Sequence, residues 1–147
     1  MLSIIEFPGG HDSARVRPTI TPEARPHYDA LARGELLLLR CARCDRMRLP
    51  GSLPCPWCGD DIAAWVDAKG QGSIHSWVRY HRGFLPEFEP LLPYVVLSVE
   101  LDDGPRLFGR LVTPAVTPRI GQLVRMVVER WTDGFCAPAF ELAGGGV

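Results

Sequence analysis

Residues 41–59 read CARCDRMRLPGSLPCPWCG: two Cys-x-x-Cys pairs, Cys41 with Cys44 and Cys55 with Cys58, ten residues apart. That spacing reads as one tetrahedral four-thiolate metal site, and zinc is the ion it favours. Each pair wraps two sulfurs around one side of a tetrahedron, while residues 45–54 reverse the chain and bring the second knuckle opposite the first. Gly59 suits the tight turn past the metal, where backbone amides point at sulfur and a side chain would be crowded. Asp45 follows the first knuckle instead, which makes that half the less ideal one.

Three other readings compete. A disulfide framework belongs to oxidising compartments, and the N-terminus shows nothing like a signal peptide. A thioredoxin-style redox pair needs an apolar strand before Cys55 and a helix opening after Cys58, and the sequence shows neither. A rubredoxin-type iron site uses the same ligands, typically with a longer gap between knuckles.

Composition bounds the rest. The 147 residues suffice for one domain plus a small appendage. Formal charge is -1, and a zinc tetrathiolate, adding a further -2, takes the chain to about -3. This is not a nucleic-acid binder's balance. Of 16 basic residues only Lys69 is a lysine, so positive charge is carried by arginine, suited to bidentate contacts with carboxylate or phosphate; coding bias explains the preference equally well. The apolar runs 36–39 and 94–99 fall far short of the roughly 20 residues that span a bilayer. A soluble, cytoplasmic protein with no membrane partner is expected.

Residues 1–20 mix proline, glycine and charge without a period, which predicts a flexible segment or one laid along a partner. Residues 21–63 read as a short helix followed by the zinc ribbon. Thr21-Pro22-Glu23 offers a start and Gly34 a stop, but Pro26 can mark the true first turn, leaving a helix over about 26–33 that buries Tyr28, Leu31 and Ala32. Strands are expected at 35–40 and 46–49, on either side of the first knuckle.

From 64 to 147 the signals change to short strands at regular spacing: 65–68, 73–81, 94–101, 106–112, 123–131 and 135–142. Asp102-Asp103-Gly104 and Thr132-Asp133-Gly134 are hairpin turns, because Asp-Gly supplies positive φ. Five substantial strands with a long link after the third, residues 113–121, predict a five-stranded Greek-key barrel of the OB type. The fold class is therefore mainly β. Alternation places Ile74, Val78 and Tyr80 on one face of the first barrel strand, and His75, Trp77, Arg79 and His81 on the other. Val95, Leu97, Val99 and Leu101, then Val124, Met126 and Val128, are the inner sets of the second and fourth strands, with Arg125, Glu129 and Trp131 outside. The outer face carries aromatics among arginines, as a ligand or partner requires; the plainer reading is a solvated face with cross-strand ion pairs.

Several phrases, in order, resemble one family. Gly34-Glu35-Leu36 running to Arg40-Cys41 is similar to its helix-to-knuckle junction, and Cys55-Pro56-Trp57-Cys58-Gly59 to its second knuckle. Gly70-Gln71-Gly72-Ser73-Ile74 looks like the opening of its barrel. Leu92-Pro93-Tyr94-Val95-Val96 with Glu100-Leu101 resembles its second strand, and Ile120-Gly121 before Val124 the start of its fourth. The family is that of OB-fold, zinc-ribbon proteins long catalogued as a domain of unknown function and associated with acyl-CoA metabolism. The likeness covers residues 26–142.

The resemblance implies a non-catalytic accessory subunit, or acyl-CoA-binding module, docked onto a thiolase-like enzyme that supplies the nucleophile and acid–base groups. The residues agree, since no Ser/His/acid cluster, phosphate-binding glycine loop or telling carboxylate pair stands out. Trp77, Arg79, His81, Arg82 and Phe84, where the first barrel strand runs into loop 83–92, are the candidate ligand- or partner-binding residues. Two other classes stay open. A nucleic-acid-binding ribbon and barrel runs against the charge balance but draws on Trp77 among His75, Arg79 and His81. A free-standing acyl-CoA hydratase or hydrolase would need His75 or His81 as its base. Cys136 reads as a small core residue, His11 and His27 as solvent-facing, and Arg40, Arg43, Arg46 and Arg48 as offsetting the metal centre's charge.

Overall fold

The computed structural model describes residues 1–51, 54–113 and 116–146. In chain order the elements are β1 (Ile4–Glu6), α1 (Arg25–Ala32), β2 (Leu36–Cys41), β3 (Met47–Arg48), β4 (Ala63–Ala68), β5 (Gln71–Tyr80), β6 (Tyr94–Leu101), β7 (Arg106–Leu111), β8 (Leu123–Arg130) and β9 (Cys136–Leu142). Short 3-10 turns occupy Glu89–Leu91 and Ala143–Gly146. Five strands run in the order β8-β5-β6-β7-β9, and β8–β9 pairing closes them into a barrel. Every barrel pairing is antiparallel except β7–β9, where Arg110 and Leu111 lie beside Ala139 and Phe140. This is the Greek-key OB arrangement. The two Asp-Gly turns form where expected, with Gly104 N–H donating to Leu101 O and Gly134 N–H to Trp131 O. Of the expected long link 113–121, Pro114 and Ala115 lie outside the described residues.

Alternation fills the barrel as the sequence predicts along β6 and β8. Val95, Leu97, Val99 and Leu101 are buried, as are Val124, Met126 and Val128, and each such side chain removed from water contributes on the order of 1.5–3 kcal/mol. Cys136 joins this core, its thiol pushed above its ordinary pKa by burial. Along β5 the expectation fails. The β5–β6 register shifts between Ile74 and Ser76, so His75 is the extra residue of a bulge. One inserted residue exchanges the faces of everything beyond it. Trp77 therefore opposes Leu97 and packs against the core, while Val78 is left 51% exposed.

The second sheet is β3-β2-β4. β4, grouped by sequence with the barrel, pairs with all of β2, from Leu36–Ala68 to Cys41–Ala63, and thereby belongs to the ribbon. Its junction with β5 is Gly70, at φ +74, where a Cβ would stand 2.9 Å from the Met126 Cβ and whose carbonyl accepts the Met126 N–H. That close approach locks ribbon to barrel. Leu36 and Leu38 of β2, with Leu31 of α1, enter the barrel's own core.

α1 starts one residue before Pro26, and its buried face is His27, Ala30 and Leu31, while Ala32 is exposed. The spacing i, i+3, i+4 carries His27 inward against the expectation that it faces water. Its Nδ1 lies 3.0 Å from the Leu37 carbonyl and its ring meets Tyr28 edge-on. Burial holds its pKa below the ordinary value, against a smaller upward pull from that carbonyl.

Residues 1–20, expected to be flexible, are bound to the barrel through much of their length. β8 pairs with β5 only at Leu123–Arg125, so the edge beyond is open, and β1 takes it in parallel, Ile4 beside Val128 and Glu6 beside Arg130. Three residues are too few to show alternation in the sequence. Phe7 then stacks on Trp131 with ring centroids 3.6 Å apart, and buried Ser13 donates its hydroxyl to Asp133 Oδ2 at 2.8 Å. The outer residues Val127, Glu129 and Trp131 are consequently as buried as core positions. No helix among the described residues is long and apolar enough to cross a membrane.

Candidate metal centre and barrel-end cavity

The two knuckles repeat one local fold. Asp45 N–H donates to Cys41 O, and Gly59 N–H to Cys55 O; Cys41 N–H donates to Arg46 O, and Cys55 N–H to Asp60 O. Asp45 and Gly59 stand at φ +65 and +79, so the first knuckle imposes on an aspartate the left-handed turn that the second gives to glycine. The turns gather the four sulfurs of Cys41, Cys44, Cys55 and Cys58 within 4.8 Å of one another. Cys41 and Cys58 are 3.5 Å apart, and Cys44 and Cys55 3.6 Å. A tetrahedral ion with metal–sulfur bonds of about 2.3 Å has sulfur–sulfur edges of about 3.8 Å, so the set fits one ion.

Two of the thiols, Cys41 and Cys55, are already biased toward the thiolate that a metal requires. The Cys44 backbone N–H, ahead of burial and the Arg43 N–H, holds Cys41 below its ordinary pKa. At Cys55 burial pushes upward, but the Cys58 and Trp57 N–H groups and two neighbouring thiols outweigh it and bring the group to about 6. Cys58 moves the other way, to about 11: the Asp60 N–H pulls down, and burial with three crowded sulfurs overrides it. Such crowding is relieved when a cation binds all four. Outside the sulfurs, Arg46 lies over the Trp57 ring at 5.3 Å and Arg40 faces Asp45 at 3.6 Å, whereas Arg48 is buried.

The other predicted site residues separate into two groups. Arg79 and His81 line a cavity of about 680 Å³ at one end of the barrel, walled by Tyr94, Val95, Leu111 and Val116, with Ile5 and Pro8 from the N-terminal segment. Trp77 sits beneath, with the Arg79 guanidinium 5.5 Å from its ring, and Arg79 Nη2 donates to Val116 O at 3.2 Å. Arg82 and Phe84 stay outside this cavity, both exposed where β5 leads into loop 83–92, with the Arg82 guanidinium 5.7 Å from the Phe84 ring.

Sequence reasoning missed Arg110 and Tyr94, which line the cavity too, and Glu129, which Arg110 grips through Nε at 2.9 Å and through Nη2. Burial raises the Glu129 pKa, and the Arg110 charge opposes it. Arg110 of β7 and Glu129 of β8 meet across the intervening β9, a juxtaposition that spacing along the chain does not show. A larger depression of about 730 Å³, between residues 1–3, 34–36 and Arg125, holds none of the predicted site residues.

A chain of the Ltp2-ChsH2(DUF35) aldolase superposes with a TM-score of 0.76 and 34% identity, over 86% of this chain and 99% of that one. The chain belongs to the DUF35 family. Residues 65–129 match the family described as the ChsH2 C-terminal OB-fold domain. A probable enoyl-CoA hydratase alpha subunit of Thermomonospora curvata is 34% identical over 119 residues, which are 81% of this DUF35 chain but 36% of that protein. The chain thus spans about a third of that relative's length. A DUF35 domain-containing scaffold protein of Methanothermobacter thermautotrophicus is 27% identical over 69% of this chain and 80% of its own.

Proposed function

We propose that this DUF35 protein is a non-catalytic accessory subunit of a thiolase-like, acyl-CoA-processing enzyme in the cytoplasm. Its four cysteines hold one structural zinc, and its barrel-end cavity receives part of an acyl-CoA. The observation that carries the reading is the 34% identity over 99% of a chain from an aldolase whose name joins a DUF35 protein to a second component. A scaffold protein and an enoyl-CoA hydratase subunit among its relatives support the same role. Zinc is the ion this reading assigns because a four-thiolate set on two paired knuckles with a short, ten-residue gap suits a closed tetrahedral structural site, Cys41 and Cys55 being buried and Cys44 and Cys58 half-buried.

In this reading Arg79 offers positive charge, and His81 a hydrogen bond, to the CoA phosphates or pantetheine, and Trp77 fixes Arg79 by stacking. Arg82 and Phe84, exposed on their loop, meet the partner subunit. Of the two bases a self-sufficient hydratase or hydrolase would need, His75 lies exposed on the bulge outside the cavity, and His81 is exposed where it lines it. Adding the chain to its thiolase-like partner should raise acyl-CoA turnover, while the isolated chain turns over none; robust turnover by the chain alone, abolished by His81→Ala, would overturn the proposal. Calorimetry at physiological salt should show acyl-CoA preferred to a single-stranded oligonucleotide, and the reverse order with a steep salt dependence would favour nucleic acid.

A further inference from the structure

A second cavity, of about 250 Å³, lies against the outer wall of the barrel, beneath Val16 and Pro18 of the N-terminal strap. Five aromatic rings line it, those of Tyr28, Phe88, Tyr94, Trp131 and Phe135. Phe88 meets Tyr94 at 5.4 Å and 30°, and Trp131 at 5.8 Å and 78°, so flat faces and edges confront the space from several sides. Such walls favour another ring, in offset or edge-to-face contact, over a flexible chain. Size agrees, since an apolar cavity of about 150 Å³ already admits benzene, and the remainder leaves room for a carbonyl.

Arg110 and Tyr94 line this cavity and the barrel-end cavity alike, so the two spaces share a wall at the Arg110 side chain. Glu129 Oε1 engages Nε and Nη2, which fixes the plane of the guanidinium, while Nη1 makes a marginal 3.5 Å contact with the Leu111 carbonyl. A guanidinium N–H held in place and weakly used is a donor for a ligand oxygen.

We infer that the aromatic cavity receives a compact, ring-bearing acyl group whose thioester carbonyl accepts a hydrogen bond from Arg110, with the CoA arm lying in the barrel-end cavity. The inference rests on the acyl-CoA reading and names the acyl class within it. Small probes separate the two: benzoyl and acetyl thioesters of N-acetylcysteamine report on the aromatic cavity, and CoA itself reports on the barrel end. With the full zinc-loaded chain, the benzoyl thioester should bind about tenfold more tightly than the acetyl one and perturb the Trp131 indole resonance. Ala137→Phe, which fills the aromatic cavity from β9, should erase that preference and leave CoA affinity unchanged; Val16→Trp, from the strap side, should do the same if Ala137→Phe fails to fold. Equal binding of the two small thioesters, or a preference that survives a folded filling variant, would overturn the inference. Failure of CoA to bind, with the benzoyl preference intact, would instead overturn the acyl-CoA reading.

Discussion

The ribbon and the strapped wall of the barrel are held by opposite means. In the ribbon, four sulfurs converge from two short turns, and β3 contributes only Met47 and Arg48. On the wall, Phe7, Ser13 and Arg15 reach across more than seventy residues of sequence to Trp131, Asp133 and Glu87. The first kind of stability is concentrated in one centre and announces itself by spacing. The second is spread over individually ordinary residues, and no pattern in the sequence marks it.

Removing the metal should break this contrast most widely. Cys55→Ser, or chelation, is expected to abolish metal content and cost the ribbon folding energy on the order of 10 kcal/mol. Hydrogen exchange should show β2 and β4 losing protection while β6 and β8 keep theirs. Full metal content in Cys55→Ser would refute the ligand assignment. The wall should respond to a different change: Phe7→Ala, which deletes a buried ring, is expected to lower global stability by about 3–5 kcal/mol with metal content untouched. Denaturant titration beside elemental analysis tests both halves. Trp77→Ala opens the barrel core beside Leu97, and since the ring is half-buried the expected loss is about 2 kcal/mol, larger than a purely solvent-facing Trp77 would give.

Acid probes the helix that joins the two regions. Burial lowers the His27 pKa in the folded state, so the unfolded chain takes up the proton first as pH falls. The stability that neutral His27 contributes is complete above about pH 6.5. It should be lost as pH drops below that value, until the depressed native pKa is passed. His27→Gln should flatten that part of the stability–pH curve, and an unchanged slope would show that another group governs it. The smallest effect is expected at the strained knuckle. Asp45→Gly relieves a left-handed aspartate but loosens the unfolded chain, for a net gain of about 0.5 kcal/mol.

These contrasts explain what the sequence made legible. Cys41, Cys44, Cys55 and Cys58 were readable because a metal site obeys fixed spacing, and the inner residues of β6 and β8 because alternation has period two. Trp77 and Val78 were misplaced because one bulged residue, His75, inverts the register, and nothing about a histidine in a strand declares a bulge. β1 was missed because its reason for existing is the unpaired edge of β8, more than a hundred residues away. The cavities inherit both failures, since Arg79 owes its position to the bulge, and the aromatic cavity owes its cover to the strap.

The proposal that this DUF35 chain is an accessory subunit is tested most directly by native mass spectrometry after co-expression with a thiolase-like enzyme. A stoichiometric complex carrying one zinc per DUF35 chain is expected. Two species that stay apart at micromolar concentration, with the DUF35 chain folded and fully metallated, would contradict it.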